Sequence, residues 1–342
     1  MYPSKGDLFF GSFIKNIEEG FLGNNVSVDK IVICGQGLNL FDKIRKYLSF
    51  YVKIIRVSFE IYDFVHLSYP SHTIIPILFK RKYKSKLIVR FHGLEIVSDR
   101  EKDFLLFFRR CLSKVAISIA DVVVVPSEYF KKIVVSLHAP RLIYKYPSGG
   151  VNRTLFSPSF ALNDIRSELI IGYVGRIDTG KGLDVLIEAC SRLPFAFKLV
   201  VVGSGPLYSK MLELSKNNNL NAEFVGPIAN NLLVDYYRSF DVLVFPTMRV
   251  GESFGNVGIE SMSCGTPVIG SDFAGLSEYL VHKYNGFSFE VGSVDSLIER
   301  LVSFKNLSLS SRIQLQENCL ETSKRFDRGI VTRDFIKFLR DL

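Results

Sequence analysis

In the second half of the chain, short runs of branched apolar residues alternate with amphipathic stretches, and glycine marks most of the changes. Apolar runs of strand length interleaved with helical patterns build βαβ units, and hence a parallel sheet covered on both faces. The strands expected on this pattern are 169–174, 197–202, 223–225, 242–245, 267–270 and 285–289. Helices are expected from Asn256 to about Cys264, over 294–304 and 309–323, and after Phe326. The first half reads similarly but less cleanly. Strands are expected at 28–34, 63–67, 86–90, 121–125 and 142–145, and helices at 11–21, 40–50, 71–83 and 99–119. A strand-like segment, 54–61, has no evident place. Between the halves, Pro147-Ser-Gly-Gly-Val-Asn-Arg-Thr-Leu-Phe-Ser-Pro158 has the composition of a linker.

Parallel sheets place their chemistry beyond the carboxyl ends of the strands, where helix N-termini point. One stretch gathers suitable groups there: Phe245-Pro-Thr-Met-Arg-Val-Gly-Glu-Ser-Phe-Gly-Asn-Val-Gly-Ile-Glu260. It reads as strand, loop, helix. N–H groups at a helix start attract phosphate, and Gly255 lets a ligand come close. Glu252 and Glu260 can each accept hydroxyl hydrogen bonds, as a sugar or ribose requires. The plainer alternative is a solvated Glu252 and a Glu260 that only complements the helix dipole.

A second loop, Gly175-Arg-Ile-Asp-Thr-Gly-Lys-Gly182, nearly fits the P-loop pattern of nucleotide hydrolases. Gly182 stands where that pattern needs a magnesium-binding hydroxyl, which argues against it. Arg176 and Lys181 on this loop can instead neutralise a diphosphate, or else form a charged surface loop. The turn Gly203-Ser-Gly-Pro206 is a weaker candidate of the same kind. In the first half, Phe91-His92-Gly93 follows a strand, so His92 is placed at a carboxyl edge; a structural histidine is the alternative. Ser127 reads as a helix cap.

The 342 residues suffice for two domains, and with 47% hydrophobic and 23% charged residues the chain is globular. No apolar run reaches membrane-spanning length, since Asp121 interrupts 115–125, and Met1-Tyr-Pro-Ser-Lys does not read as a leader. Five scattered cysteines without a Cys-x-x-Cys point to a reducing compartment and away from structural zinc. Charge is uneven: residues 1–156 hold 24 Lys and Arg against 13 Asp and Glu, and residues 157–342 hold 19 against 21. The excess is densest around Phe104-Leu-Leu-Phe-Phe108, from Lys80 to Lys114. Such a mixture suits an anionic membrane surface, unless the Phe/Leu cluster is core. No nucleic-acid-binding signature accompanies it, so no nucleic acid partner is expected.

The Glu-Ser-Phe-Gly run with its second acid at Glu260, the Arg176 and Lys181 pair, and the Gly-Val-Asn linker ending at Pro158 together resemble the family 4 retaining glycosyltransferases. These are glycosyl transferases group 1, of the GT-B fold, in which two doubly wound Rossmann-like domains face a cleft. The likeness covers nearly the whole chain and is strongest after Gly172. It implies an N-terminal acceptor-side domain (1–157), a C-terminal nucleotide-sugar domain (158–325) and a terminal helix (326–342) that crosses back. Family members begin with a strand, then a Tyr-Pro-Ser-like turn and Gly-x-Phe. This chain starts inside the turn, at Tyr2-Pro-Ser-Lys-Gly-Asp7, so the first domain is expected to lack its first strand.

The resemblance implies transfer of a hexosyl-type sugar, with retention, from a UDP-, GDP- or ADP-linked donor to a glycan or lipid-linked acceptor in cell-surface polysaccharide or glycolipid synthesis. By residue, Arg176 and Lys181 would hold the diphosphate, Glu252 the sugar and Glu260 the ribose. Gly11, Gly203, Phe254, Gly255 and Asn256 would complete the donor site, and His92 would act with Glu252 at the reacting centre. With no Asp-x-Asp motif, no metal or other cofactor is expected: fixed cations and a helix start would meet the leaving group's charge. No nucleophile is nominated, which fits a front-face route. The setting implied is cytoplasmic, peripheral on the inner membrane face. A nucleotide-sugar 2-epimerase of the same fold, and a nucleotide-sugar-binding subunit impaired by the missing strand, remain as alternatives.

Overall fold

The computed structural model describes residues 2, 11–35, 39–80, 84–99, 103–158 and 167–342. The chain is α/β and divides into two compact units: residues 1–150 with 329–342, and residues 151–328. The expectation about a first strand falls on residues 3–10 and so lies outside the described residues.

Unit 1 begins with α1 (Ser12–Leu22) and α2 (Leu40–Arg56). Three βα repeats and a last strand follow: β1 (Phe64–Ser68), α3 (Pro70–Leu78), β2 (Lys86–Arg90), α4 (Leu106–Ile119), β3 (Val122–Val125), α5 (Glu128–Leu137) and β4 (Ile143–Lys145). The strands lie parallel in the order β1-β2-β3-β4. The four valines of β3 are all buried, as a strand covered on both faces requires. Asp121, just before β3, accepts the N–H of Leu87 at 2.7 Å.

The two faces of this sheet have different covers. Leu87, Val89, Val123 and Val125 meet residues of α2, α3, α4 and α5, among them Phe50, Ile74, Ile117 and Phe130. Ile88, Val122 and Val124 meet Ile17 and Phe21 of α1 and Phe335 and Leu339 of α12 (Arg328–Arg340). Tyr146 stacks on Phe335 at 4.8 Å and shares a 2.7 Å hydrogen bond with Thr332.

Several sequence expectations need correction here. The strand-like segment 54–61 is not a strand: residues 54–56 are the end of α2, which runs on to Arg56 with Phe50 and Ile54 on its buried side, and 57–61 are bend and turn. Among the described residues, 28–34 form no strand, and Cys34 makes a parallel bridge to Tyr2. Helix α4 starts at Leu106, after a turn in which the Asp103 carboxylate accepts from Ser98 and from the N–H of Leu105. Phe104, Leu105, Phe107 and Phe108 are exposed, not core. Ser127 caps α5 as expected, accepting from Phe130 N.

Unit 2 alternates β5 (Leu169–Val174), α6 (Leu183–Ser191), β6 (Phe197–Val202), α7 (Tyr208–Asn217), β7 (Ala222–Gly226), α8 (Leu233–Ser239), β8 (Val242–Phe245), α9 (Asn256–Ser263), β9 (Val268–Ser271) and β10 (Gly286–Phe289). Helices α10 (Val294–Lys305) and α11 (Leu309–Lys324) follow. All six strands are parallel, in the order β10-β9-β8-β5-β6-β7. The chain builds outward from β5 through β6 to β7, returns to lay β8 on the other side of β5, and continues to β9 and β10. The order therefore reverses between β5 and β8. As before β3, an aspartate precedes β8: Asp241 accepts the N–H of Ile170 at 2.7 Å. Among the described residues, no helix is long and apolar enough to cross a membrane.

Candidate active site

At such a reversal the loops leaving two neighbouring strands go to opposite faces of the sheet, and a crevice opens between them. In unit 2 these loops are 175–182, after β5, and 246–255, after β8. They are closely joined. Met248 N–H donates to Gly180 O at 2.8 Å. Lys181 Nζ reaches Glu252 Oε2 at 2.5 Å, and Thr247 Oγ1 adds a 3.3 Å hydrogen bond to the same oxygen. Lys181 also lies 5.9 Å from the centre of the Phe245 ring. Both side chains of the pair are mostly buried, at 18% and 14% exposure.

Gly182 explains why the near P-loop is not one. Its φ is 73°, and a Cβ there would sit 1.9 Å from the carbonyl oxygen of Pro246. A serine or threonine would clash with backbone, so the hydroxyl that a P-loop places at this point has no room.

Helices α6 and α9 start at left-handed glycines, Gly182 and Gly255, and neither start has a side-chain cap. Uncapped first-turn N–H groups are suited to an anion. Gly255 is held by Tyr279, whose hydroxyl donates to Gly255 O at 2.7 Å. Asn256, the first residue of α9, is partly exposed. Phe254 is not a surface group: its ring is buried against Tyr279 and Phe326, with centroids 5.4 and 5.5 Å away. Any contact it makes with a ligand falls to its backbone. Gly203, at the end of β6, donates to Gly226 O at 2.8 Å and lies against Gly175 O.

The other two charged candidates stand apart from the Lys181–Glu252 pair. Arg176 is 60% exposed and ion-paired with Asp178 at 3.1 Å. Glu260, one turn into α9, is 7% exposed. It accepts from Tyr237 OH at 2.9 Å and from Asn230 Nδ2 at 3.4 Å. Burial pushes its carboxyl up to about 7, against the pull of those two donors. Among the described residues, no group of three His, Cys, Asp or Glu side chains could hold a metal ion.

In unit 1, His92 lies in the turn after β2. The buried Glu95 carboxylate accepts the N–H of His92 at 2.9 Å and of Gly93 at 2.7 Å, fixing that turn. Burial raises Glu95 to about 7 as well. The His92 ring lies 5.0 Å from that of Tyr69. Burial, reinforced by the Arg90 charge, holds the His92 imidazole well below its usual value, so it is neutral at pH 7. Gly11 is the left-handed residue that opens α1, with φ 75°.

The model of the glycosyl transferases group 1 family matches residues 159–325. The chain is 30% identical over 264 residues to the uncharacterized glycosyltransferase MJ1178 of Methanocaldococcus jannaschii, covering 76% of this chain and 70% of that protein. The chain is a group 1 glycosyltransferase. It is also 28% identical over 236 residues to the capsular polysaccharide biosynthesis glycosyltransferase CapM of Staphylococcus aureus, covering 64% of this chain and about three fifths of CapM (60%). Among solved structures, Anabaena HepE in complex with UDP and glucose superposes with a TM-score of 0.70. The two share 18% identity, over 95% of this chain and 89% of that one, so the likeness is one of GT-B fold. The family match spans every candidate of this glycosyltransferase except His92 and Gly11.

Four neighbours of the candidates were not anticipated from the sequence of the glycosyltransferase: Thr247 on Glu252, Tyr237 and Asn230 on Glu260, and Glu95 on His92. Only Glu95 left a readable trace, an acid three residues after a strand-end histidine. Tyr237 lies 23 residues from Glu260, on another helix, and no local pattern links them.

Proposed function

We propose that this glycosyltransferase moves a hexosyl-type sugar from a nucleotide-sugar donor to a glycan or lipid-linked acceptor, with retention of configuration and without a divalent metal. The observation that carries the donor side is the Lys181–Glu252 pair between two uncapped helix starts at the strand-order reversal. In this reading the donor's diphosphate takes over Lys181 and approaches the first turn of α9, with Arg176 turned in from Asp178. Losing its ammonium partner frees Glu252 to accept sugar hydroxyls. Glu260 accepts the ribose hydroxyls. Gly203, Gly255, Asn256 and the backbone of Phe254 line the donor. His92 and Gly11, in unit 1, are carried over from the family resemblance alone.

Departure of the nucleoside diphosphate leaves negative charge on its β-phosphate and positive character on the sugar. Preorganised cations and helix N–H groups stabilise the first without an ion. The base proposed is uracil, supported by the UDP bound to HepE, and the setting is cell-surface polysaccharide synthesis, supported by CapM. The location proposed is the cytoplasmic face of the membrane.

The test is a thermal-shift panel of UDP, GDP, ADP and their sugars, followed by transfer assays with and without EDTA and by assignment of the product anomer. The expected result is stabilisation by UDP and a UDP-sugar, EDTA-resistant transfer and a retained anomer. No stabilisation by any nucleotide would overturn the donor site, EDTA-abolished transfer the metal-free route, and an inverted product the retaining one.

A further inference from the structure

Two successive backbone N–H groups at the end of β2 converge on one buried side chain. The Glu95 carboxylate accepts His92 N–H on Oε1 at 2.9 Å and Gly93 N–H on Oε2 at 2.7 Å, and its own backbone N–H adds a further bond. The residue is 3% exposed. Burying an acid is unfavourable unless it is well paired. The cation that acts on Glu95, Arg109 of α4, is itself ion-paired with Asp103. The acid is therefore held by backbone, and the backbone by the acid.

This hold has a consequence for His92. The peptide joining His92 to Gly93 is planar, so its C=O points away from its N–H. Tying Gly93 N–H to Glu95 turns the His92 carbonyl to the opposite side. Gly93 takes a φ of 148°, a region open mainly to glycine. The His92 ring is set by a second neighbour, Tyr69, at 5.0 Å. Tyr69 has a φ of 58°, which residues with a side chain rarely adopt. Such backbone persists where its surroundings enforce it, and it gathers at functional sites. Strands β1 and β2 are paired, Ser68 beside Arg90, so Tyr69, His92 and Glu95 stand at two adjacent carboxyl edges.

We propose that Glu95 is a positioning residue for sugar transfer, whose charged form holds the turn that presents His92 and whose protonation loosens it. This rests on the role proposed above for His92. In the carboxylate both oxygens accept, one for each N–H. A proton on either oxygen turns it into a donor facing an N–H, so one of the two bonds weakens.

The titratable groups facing Glu95 are Tyr69 from the turn before α3, His92 from its own turn and Arg109 from α4. Burial raises the carboxyl to about 7, against its backbone donors and the Arg109 charge. Glu95 is thus charged above that value and protonated below it. The His92 imidazole is held well below its usual range, so it contributes no step there. Transfer should therefore weaken as pH falls through about 7. The loss should appear in kcat, because the turn belongs to unit 1 and the Lys181–Glu252 pair to unit 2.

The test joins a structural readout to a kinetic one. In the isotope-labelled full chain, the His92 and Gly93 amide signals are followed by NMR as pH is varied. They are expected to move together with one midpoint near 7, and kcat for UDP release at saturating UDP-sugar is expected to fall below the same midpoint. Glu95→Gln offers one acceptor oxygen and sets an NH2 group against the other N–H. It should lower kcat roughly tenfold or more, the scale of a misplaced group at a reacting centre, lose the acid limb and bind UDP as the unaltered chain does. Glu95→Asp keeps the charge and should recover part of the rate with its limb. The proposal is overturned if the two amides do not share a midpoint, if that midpoint differs from the one in kcat, or if Glu95→Gln keeps either the rate or the limb. The first two results need no variant to fold. Absence of UDP binding by the unaltered chain would instead remove the donor reading, and with it any role in transfer, while the amide titration separately decides the hold on the turn.

Discussion

Lys181 Nζ lies 2.5 Å from Glu252 Oε2, a contact between residues 71 apart that ties the loop after β5 to the loop after β8. In the proposed reaction this pair separates when donor arrives, the ammonium going to phosphate and the carboxylate to sugar hydroxyls. Lys181→Ala and Glu252→Ala should then each lower kcat/KM by roughly 10²-fold or more, the usual scale for a preorganised group at a developing charge. Their effects should not add, since each removal also leaves the other member unpaired. A double-mutant cycle on donor affinity and on kcat/KM measures this. Strict additivity would place the two residues in separate roles.

Glu260 leads to a prediction about protons. Its carboxyl titrates near 7 because burial disfavours the charged form. Ribose hydroxyls donating to it would favour the carboxylate and lower that value, so donor binding should release a fraction of a proton near pH 7. By linkage, affinity should rise with pH through that region. Calorimetric titration of donor in two buffers of different ionisation enthalpy reads the proton count directly. Zero release at pH 7 for the unaltered chain, matching Glu260→Gln, would remove Glu260 from the ribose.

The same residue predicts a cost in stability. Its folded value, about 7, lies above the ordinary carboxylate value of 4.5. The folded state therefore holds the proton more tightly, and the stability this confers is present below about pH 4.5 and lost as pH rises through 7. A shift of that size corresponds to roughly 3 kcal/mol at about 1.4 kcal/mol per unit. Glu260→Gln keeps an acceptor for Tyr237 and carries no charge. At pH 8 it should be more stable than the unaltered chain by about 1–3 kcal/mol, with the difference vanishing toward pH 4.5. Urea unfolding of unit 2 at the two pH values checks the sign. A more stable, worse-binding protein is the expected pattern for a group kept for function.

Much of this was legible in the sequence, for identifiable reasons. In unit 2 the period changes sharply, so strands β5, β6 and β8 appear where the apolar runs lie, and the loops bearing Lys181 and Glu252 follow from those strands. What sequence spacing does not carry is the third dimension. Arg176 and Lys181 share a loop, yet one turns out to Asp178 and the other inward to Glu252. Phe254 lies within the central motif, yet its ring belongs to the core. In unit 1 the boundaries were harder, because α2 is apolar on two arcs: Ile54 and Ile55 resemble a strand until one is seen to be buried and the other exposed.

Gly182 and Gly292 share a φ of 73° and differ in what a side chain would meet. At Gly182 a Cβ would lie 1.9 Å from Pro246 O, at Gly292 3.2 Å from Met248 Sδ. The first neighbour is backbone at the base of the loop that carries Glu252, and it cannot yield without moving that loop. The second is near the end of a flexible side chain. Alanine at either site incurs the left-handed backbone penalty of roughly 1–2 kcal/mol. Gly182→Ala should add a steric cost that takes its loss to about 3 kcal/mol or more, in the range of strained or overpacked sites. Its folded fraction should also bind donor more weakly, because displacing the loop after β8 pulls Glu252 away from Lys181. Gly292→Ala should show the backbone penalty alone and bind donor normally. Urea midpoints with donor titrations on both variants make the comparison. Equal midpoints and equal affinities would mean that the approach of α6 to Pro246 is not what holds the two loops in register.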